Sequence, residues 1–168
     1  LFIKNIMRWF SLILIIQSLF LSFCASAQPV PVIGLDDLET RLENGADTTF
    51  VVNFWATWCR PCVKELPYFE ALEKDNQGKS FKVLLVSLDF ASQLKSKVIP
   101  FVEEKALISE VVLMDEERAN EWIPRVSEKW SGALPATLFV NAQKKTRHFH
   151  EGSFKDGELE AKLSELGL

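Results

Sequence analysis

The sequence predicts an α/β fold in which a central mixed sheet, with parallel core strands and an antiparallel edge hairpin, carries helices on both faces. The ranges 48–56 and 82–89 are apolar runs without alternation, as expected of strands buried on both faces. Stretches of helical periodicity alternate with these runs, which favours parallel strands joined by crossover helices. The ranges 136–141 and 146–152 flank a short polar turn and therefore predict the hairpin.

The first half of the chain alternates helix and strand. The range 31–45 is predicted to be a helix because its leucines recur at helical spacing before a terminating Gly45. The range 48–56 is β-branched and aromatic, which favours a strand. An apolar face with a period of three to four residues predicts a second helix over 59–76, in which Pro67 should produce a kink or weaken the hydrogen bonding.

The second half continues the alternation and closes with the hairpin. Its predicted elements begin with a buried strand (82–89), a helix interrupted by a proline (92–106) and a short strand (111–115). A second interrupted helix (117–130), the two hairpin strands (136–141 and 146–152) and an amphipathic closing helix (156–167) follow. Pro100 and Pro124 are the interrupting residues. Because no repeat, low-complexity tract or internal linker is visible, the sequence predicts a single domain.

Residues 1–27 differ from the rest of the chain. Lys4 and Arg8 precede an uncharged, mostly apolar run, which ends in the small-residue pattern of Ala25–Ala27. This is the pattern of a secretory signal peptide, so the mature domain is predicted to span 28–168. The alternative is an uncleaved N-terminal membrane anchor, although the run is shorter than the ~20 residues that a bilayer span needs.

Two further observations limit the class of protein. Cys24 raises the possibility of a lipoprotein, but the preceding Phe23 is bulkier than the small residue expected there, so this reading is disfavoured. The formal charge of the 168-residue chain is −4, and the sequence contains no basic run. Nucleic acid and anionic membrane surfaces are therefore disfavoured as partners.

The chemistry is expected at Cys59 and Cys62, which stand three positions apart where a buried strand gives way to a helix. Unpaired N–H groups and the dipole at a helix N-terminus stabilise a thiolate, so Cys59 is predicted to be the attacking nucleophile. Cys62, one turn later and more buried, would resolve the mixed disulfide. The alternatives are an inert disulfide, which would constrain the unfolded chain very little, and half of a zinc site, for which only His148 and His150 remain.

The residues around the pair suit a substrate-docking surface. Trp58 offers a large apolar area to a partner. Arg60 adds a positive charge that favours a thiolate at Cys59. Pro61 fits an early helix position, where its missing N–H costs little.

Two segments carry a family resemblance. The segment VVNFWATWCRPCVKELP, at 51–67, resembles the active-site segment of the thioredoxin superfamily, and in particular of exported TlpA/ResA-like thiol–disulfide oxidoreductases. The segment ALPATLFV, at 133–140, resembles the part of that family in which a cis-proline precedes an antiparallel strand. The resemblance implies a thioredoxin fold, a cis peptide bond before Pro135, and a Leu134 backbone that pairs with a substrate strand.

The resemblance also implies a function: thiol–disulfide oxidoreductase, acting as a reductase of exported protein disulfides by dithiol–disulfide exchange at Cys59 and Cys62. No metal and no tightly bound cofactor is expected, since the electrons reside in the dithiol. The expected partners are protein thiols or disulfides and a membrane or periplasmic electron donor, with no nucleic acid. The protein is expected to be a monomer that is periplasmic or otherwise exported.

The chain departs from thioredoxin at one position. Asn53 occupies the place of a buried aspartate that can accept the proton of the inner thiol, and an amide cannot titrate. ResA-type reductases also carry a glutamate just after the second strand, and that position falls on Phe90 here, next to Asp89. Deprotonation of Cys62 is therefore expected to depend on Asp89 or on water.

The rival function is a copper chaperone of the Sco type, using Cys59, Cys62 and a histidine. Proteins of that kind space their cysteines C-x-x-x-C, which this chain does not. Peroxidases of the peroxiredoxin kind carry T-x-x-C, which is also absent.

Overall fold

The computed structural model of the protein describes residues 28–168. Six strands form one sheet: β1 (Val32–Ile33), β2 (Thr49–Trp55), β3 (Phe81–Ser87), β4 (Glu110–Met114), β5 (Ala136–Asn141) and β6 (Thr146–Glu151). Five helices accompany them: α1 (Leu35–Glu43), α2 (Arg60–Asp75), α3 (Ile99–Lys105), α4 (Ala119–Val126) and α5 (Glu158–Leu166). Within these residues no helix has the length and apolar character needed to cross a bilayer.

The sheet has the mixed topology that the sequence predicts. Its strand order is β1-β4-β3-β2-β5-β6. Strands β1, β4, β3 and β2 run parallel to one another, whereas β5 runs antiparallel to both β2 and β6. Every residue of β2 is buried, as expected of a central strand covered on both faces. The thioredoxin-fold prediction is confirmed at the level of architecture.

The side chains of β2 alternate between two apolar layers, which places helices on both faces of the sheet. Val51 and Trp55 pack with residues of α2, α3 and α5. Val52 and Phe54 pack with residues of α1 and α4. Since the active-site helix α2 begins just after β2, this alternation decides which β2 side chains face the cysteine pair.

The structure corrects the predicted helix at 31–45. Val32 and Ile33 are not helical but form β1, which pairs in parallel with Leu113 and Met114 of β4. Gly34 is extended and caps α1, and Asp37 accepts a hydrogen bond from its backbone N–H. A two-residue strand has no periodicity of its own, so the leucine spacing behind it dominated the prediction.

The predicted helix at 92–106 is also divided. It consists of a 3₁₀ turn, a π-helical turn and α3, the first two at Ala91–Gln93 and Leu94–Val98. Pro100 lies in the first turn of α3, where its missing N–H removes no helical hydrogen bond. By contrast, α2 runs through Pro67 as one helix.

Candidate active site

The cysteine pair lies at the carboxyl end of β2. The strand ends at Trp55, and Cys59 is the N-cap of α2 with extended backbone angles. Pro61 is in the first turn of the helix, and the N–H of Cys62 donates to Cys59 Sγ over 3.4 Å. The two sulfurs form a disulfide, so the structure shows the oxidised state of the pair.

The two cysteines differ in access. Cys59 is 5% exposed and Cys62 is fully buried. Trp58, immediately before the pair, is 61% exposed, and Arg60 is exposed as well. A partner sulfur can therefore approach the pair only from the side of Cys59, which also has the helix N-terminus to stabilise its thiolate.

Asp89 holds the loop that leads into the cysteines. Its carboxylate accepts hydrogen bonds from the backbone N–H of Thr57 (2.9 Å), the hydroxyl of Thr57 (2.6 Å) and the hydroxyl of Ser87 (2.8 Å). Asp89 is itself buried. These hydrogen bonds give Asp89 a structural role in this loop. The expectation that Asp89 accepts the proton of Cys62 stays a prediction.

The buried carboxyl group on the cysteine helix is Glu65, which the sequence analysis missed. It lies one turn after Cys62 on the same face of α2 and is 1% exposed. Its Oε1 accepts from Asn53 Nδ2 (2.9 Å), and its Oε2 accepts from the backbone N–H of Phe154 (2.7 Å). Burial raises the pKa of Glu65 to about 7, and the two hydrogen bonds partly oppose that shift.

The signal for Glu65 was present in the sequence as a spacing. Cys62, Glu65, Leu66 and Phe69 follow one another at intervals of three, one and three, which is the buried face of a helix. A glutamate on that face is unusual, because carboxylates are rarely buried without a partner. The partner is Asn53, whose amide could not have been assigned to Glu65 before the register of β2 against α2 was known.

Four of the five predicted docking residues line a single groove, and the fifth, the buried Pro135, does not. Trp58, Cys59, Arg60 and Pro61 line one side of a groove of about 690 Å³, and Leu134 lines it as well. The remaining lining is mostly apolar and comes from α4 and from the segments beside it: Leu88, Ala119, Trp122, Ile123, Trp130, Gly132 and Ala133.

The peptide bond between Leu134 and Pro135 is cis, as the resemblance implies. It directly precedes β5, in which Ala136 pairs with Phe54 of β2. Trp122 and Trp130 are both buried, and their rings lie edge to face with centroids 5.4 Å apart. They contribute to the core and to the wall of the groove together.

His148 and His150 lie two residues apart on the edge strand β6, and both are half-buried against aromatic rings. His148 lies 6.2 Å from the ring of Phe139, and His150 lies 4.3 Å from that of Phe154. Burial lowers the pKa of His150, with a smaller contribution from Lys162. Within residues 28–168 no group of three or more histidine, cysteine, aspartate or glutamate side chains is placed to hold a metal ion. The copper-chaperone alternative gains no support.

Comparisons with known proteins agree with this site. The chain is 27% identical over 126 residues to the thioredoxin-like protein YneN of Bacillus subtilis, covering 74% of this chain and 69% of that protein. It is 24% identical over 132 residues to the thiol-disulfide oxidoreductase ResA of Geobacillus thermodenitrificans, covering 79% and 71% of the two chains. A crystal structure of a thioredoxin-related protein from Neisseria meningitidis serogroup B superposes with a TM-score of 0.60 at 20% identity, covering 73% of this chain and 86% of that one.

These relatives and the Cys59–Cys62 disulfide confirm two predictions, the resemblance to TlpA/ResA-like proteins and the class of thiol–disulfide oxidoreductase. The model of the AhpC/TSA family matches residues 23–149, which is most of the sequence. The chain therefore belongs to the AhpC/TSA family.

Proposed function

We propose that this protein is an exported reductase of protein disulfides, in which Cys59 attacks the substrate, Cys62 resolves the mixed disulfide and Glu65 accepts the proton of Cys62. The observation that carries the proposal is the asymmetry of the pair: Cys59 lines an open groove, whereas Cys62 is fully buried one helical turn from a buried carboxyl group. That arrangement assigns different tasks to the two sulfurs.

The exchange proceeds in two steps from the reduced enzyme. The Cys59 thiolate attacks one sulfur of the substrate disulfide, and the second substrate sulfur leaves with the electron pair and takes a proton from solvent. Cys62 then gives its proton to Glu65, and its thiolate attacks Cys59 Sγ, which releases the first substrate sulfur. The substrate gains two electrons and the Cys59–Cys62 pair loses two, giving the disulfide seen in the structure. No bound cofactor is required, because the dithiol carries both electrons.

Glu65 suits the role of proton acceptor because of where it is and how it is held. A carboxyl group is most effective as a base when its pKa lies near the working pH. Burial brings the pKa of Glu65 to about 7, while its hydrogen bonds to Asn53 and Phe154 keep the ionised form accessible. An ordinary surface glutamate would be too weak a base for a thiol.

The substrate is proposed to dock along the groove as an extended segment. The groove offers mostly apolar side chains, and Trp58 adds exposed apolar area at its edge. Phe90, which is 73% exposed, follows Asp89 and thus lies near the same loop. Leu134, just before Pro135, is placed to pair its backbone with a substrate strand. We infer that preferred substrates carry bulky apolar residues beside the reacting cysteine.

The cellular setting completes the proposal. Residues 1–27 lie outside the described part of the chain. Their sequence pattern supports export, followed by cleavage after Ala27 and loss of residues 1–27. Retention of that segment as a membrane anchor is the alternative. A membrane or periplasmic dithiol donor would return the Cys59–Cys62 pair to the reduced form, and the protein would act as a monomer.

The decisive experiment uses the two single cysteine variants. Cys62→Ser should form stable mixed disulfides with substrate proteins, because Cys59 still attacks and nothing resolves the product. Cys59→Ser should form none and should show no reductase activity. Trapping by Cys59→Ser and not by Cys62→Ser would reverse the assigned roles.

A histidine double variant distinguishes a reductase from a copper chaperone. Replacing both His148 and His150 by Ala should leave disulfide reduction within about threefold of wild type, a change of less than ~1 kcal/mol in the barrier. A large loss of Cu(I) affinity in that double variant, with negligible reductase activity in both proteins, would favour the copper chaperone.

A further inference from the structure

The strongest remaining feature is the set of contacts made by Asn53, in the middle of β2. Its side chain is fully buried and its backbone stands opposite Thr137 of β5. The single nitrogen Nδ2 donates to Glu65 Oε1 (2.9 Å) and to Thr137 Oγ1 (3.2 Å). Asn53 thus ties the cysteine helix α2 to the adjacent strands β2 and β5.

The chemistry of an amide at this position differs from that of an acid. The N–H of Asn53 stabilises the ionised form of Glu65, and so opposes the desolvation that favours the protonated form. An amide has no proton to lose in the physiological range. A carboxyl group in the same place would instead compete with Glu65 for one proton, since two buried carboxylates in contact cannot both ionise freely.

We propose that Asn53 is a positioning residue that holds the carboxyl group of Glu65 against β2 and lets it titrate in a single protonation step. The inference rests on the proposed role of Glu65 as proton acceptor. The amide holds the carboxylate toward the sheet, lowers the cost of ionising it, and adds no second titrating group. The proton released by Cys62 then has one destination.

The surroundings of Glu65 leave few other titrating groups to account for. From α2 itself the neighbour is Cys62, which carries no proton while the disulfide is intact. From β5 and the segment after β6 the contacts are the neutral Thr137 and the backbone of Phe154. From β6, His150 stacks on the Phe154 ring, with Lys162 and Glu158 of α5 acting on that histidine. Within residues 28–168, Glu65 forms no salt bridge.

The test is a direct titration of Glu65 in the oxidised protein, in which the cysteines do not titrate. The side-chain carboxyl resonance of Glu65, assigned by its loss in Glu65→Gln, is followed by ¹³C NMR against pH. Wild type should show one step. Asn53→Asp should show two coupled steps, the upper one at least roughly one pH unit above wild type, because the two carboxyl groups share a proton.

A matched control exists in the same sheet. Asn141 is also a buried asparagine, and its Nδ2 donates to the backbone oxygen of Asp47 and to Thr49 Oγ1. Asn141 lies at the opposite end of β5 from Pro135 and has no contact with Glu65. Asn141→Asp should therefore leave the single step of Glu65 in place.

Asn53→Ser provides a second route if the aspartate variant does not fold. Serine is neutral and too short to reach Glu65 as the amide does, so the step should stay single and move to higher pH. A Glu65 titration unchanged in every folded Asn53 variant would overturn the proposal.

The pH profile of the resolving step in the reduced enzyme separates this inference from the proposed function. If Glu65→Gln leaves that profile unchanged, Glu65 is not the proton acceptor and the proposed mechanism fails. If Glu65→Gln abolishes the step near neutral pH while Asn53→Asp behaves as wild type, only the role of Asn53 fails.

Discussion

At the scale of single residues, the two cysteines differ in solvent exposure: Cys59 lines the groove, whereas Cys62 is fully buried. The proposed roles of Cys59 and Cys62 follow from the sequence, since their order at a helix N-terminus predicts which of them reaches a partner. The spacing on α2 also indicates that Glu65 is buried, but its hydrogen-bond partners Asn53 and Phe154, 12 and 89 positions away in the chain, could not be assigned. Long-range hydrogen bonds of this kind leave no local pattern.

The residue-scale prediction concerns Glu65→Gln. Glutamine keeps the size of the side chain but cannot take the proton of Cys62, so resolution of the mixed disulfide at pH 7 should slow by roughly 10- to 100-fold, at the lower end of general-base effects. The rate of resolution is measured by acid-quenching the mixed disulfide at successive times and quantifying the substrate thiol that it has released. Attack by Cys59 should change much less, since Cys59 has the helix N-terminus to stabilise its thiolate.

Glu73→Gln is the matched control for this variant. Glu73 is also a buried glutamate of α2 and lies two turns after Glu65. It accepts a hydrogen bond from the backbone N–H of Val83. It should leave the ratio of the two steps unchanged. An equal slowing of resolution by both variants would show that Glu65 acts through the stability of α2 and not through its proton.

At the scale of secondary-structure elements, most of the fold follows from local pattern. The ranges of β2, β5 and α2 were predicted to within about two residues, because buried strands and a long amphipathic helix have clear periodicities. The exceptions are β1 and the π-helical turn before α3. The strand β1 owes its conformation to a tertiary contact, since it exists as the parallel partner of β4. The π turn runs directly into α3, whose first turn contains Pro100.

The element-scale prediction concerns the clamp between the β3 end and the loop after β2. Asp89→Ala removes a buried acceptor of three hydrogen bonds and leaves the N–H and hydroxyl of Thr57 without their partner. The free energy of unfolding should fall by roughly 2–4 kcal/mol. Urea unfolding of the oxidised protein measures it, with the exposed Asp156→Ala as a control that should cost less than ~0.5 kcal/mol.

The clamp also makes a kinetic prediction for the same variant. If Asp89 fixes the loop that carries Trp58 and Cys59, its loss should slow the attack of Cys59 on substrates more than the resolution by Cys62, which sits within α2. A variant as stable as wild type, with unchanged attack, would show that the loop keeps its conformation without Asp89.

At the scale of the whole molecule, the fold places a carboxyl group in its core at a cost to stability. Transfer of Glu65 from water into the interior raises its pKa from an ordinary 4.5 to about 7. A group whose pKa is higher in the folded state binds its proton more tightly there, so its contribution to stability is full below pH ~4.5 and is lost as pH rises through about 7. The proposed proton acceptor therefore makes the domain less stable at the pH at which it would act.

The raised pKa of Glu65 predicts how the stability of the domain changes with pH. Relative to Glu65→Gln, which cannot ionise, the wild-type protein should lose stability between pH 5 and pH 8, by up to roughly 3 kcal/mol for a shift of this size. Urea unfolding of both oxidised proteins at the two pH values gives the difference, and other titrating groups cancel between them. Identical pH dependence in the two proteins would mean that Glu65 titrates in the fold as it does in the unfolded chain. Its burial would then have no consequence for proton transfer, and the mechanism would return to water as the acceptor for Cys62.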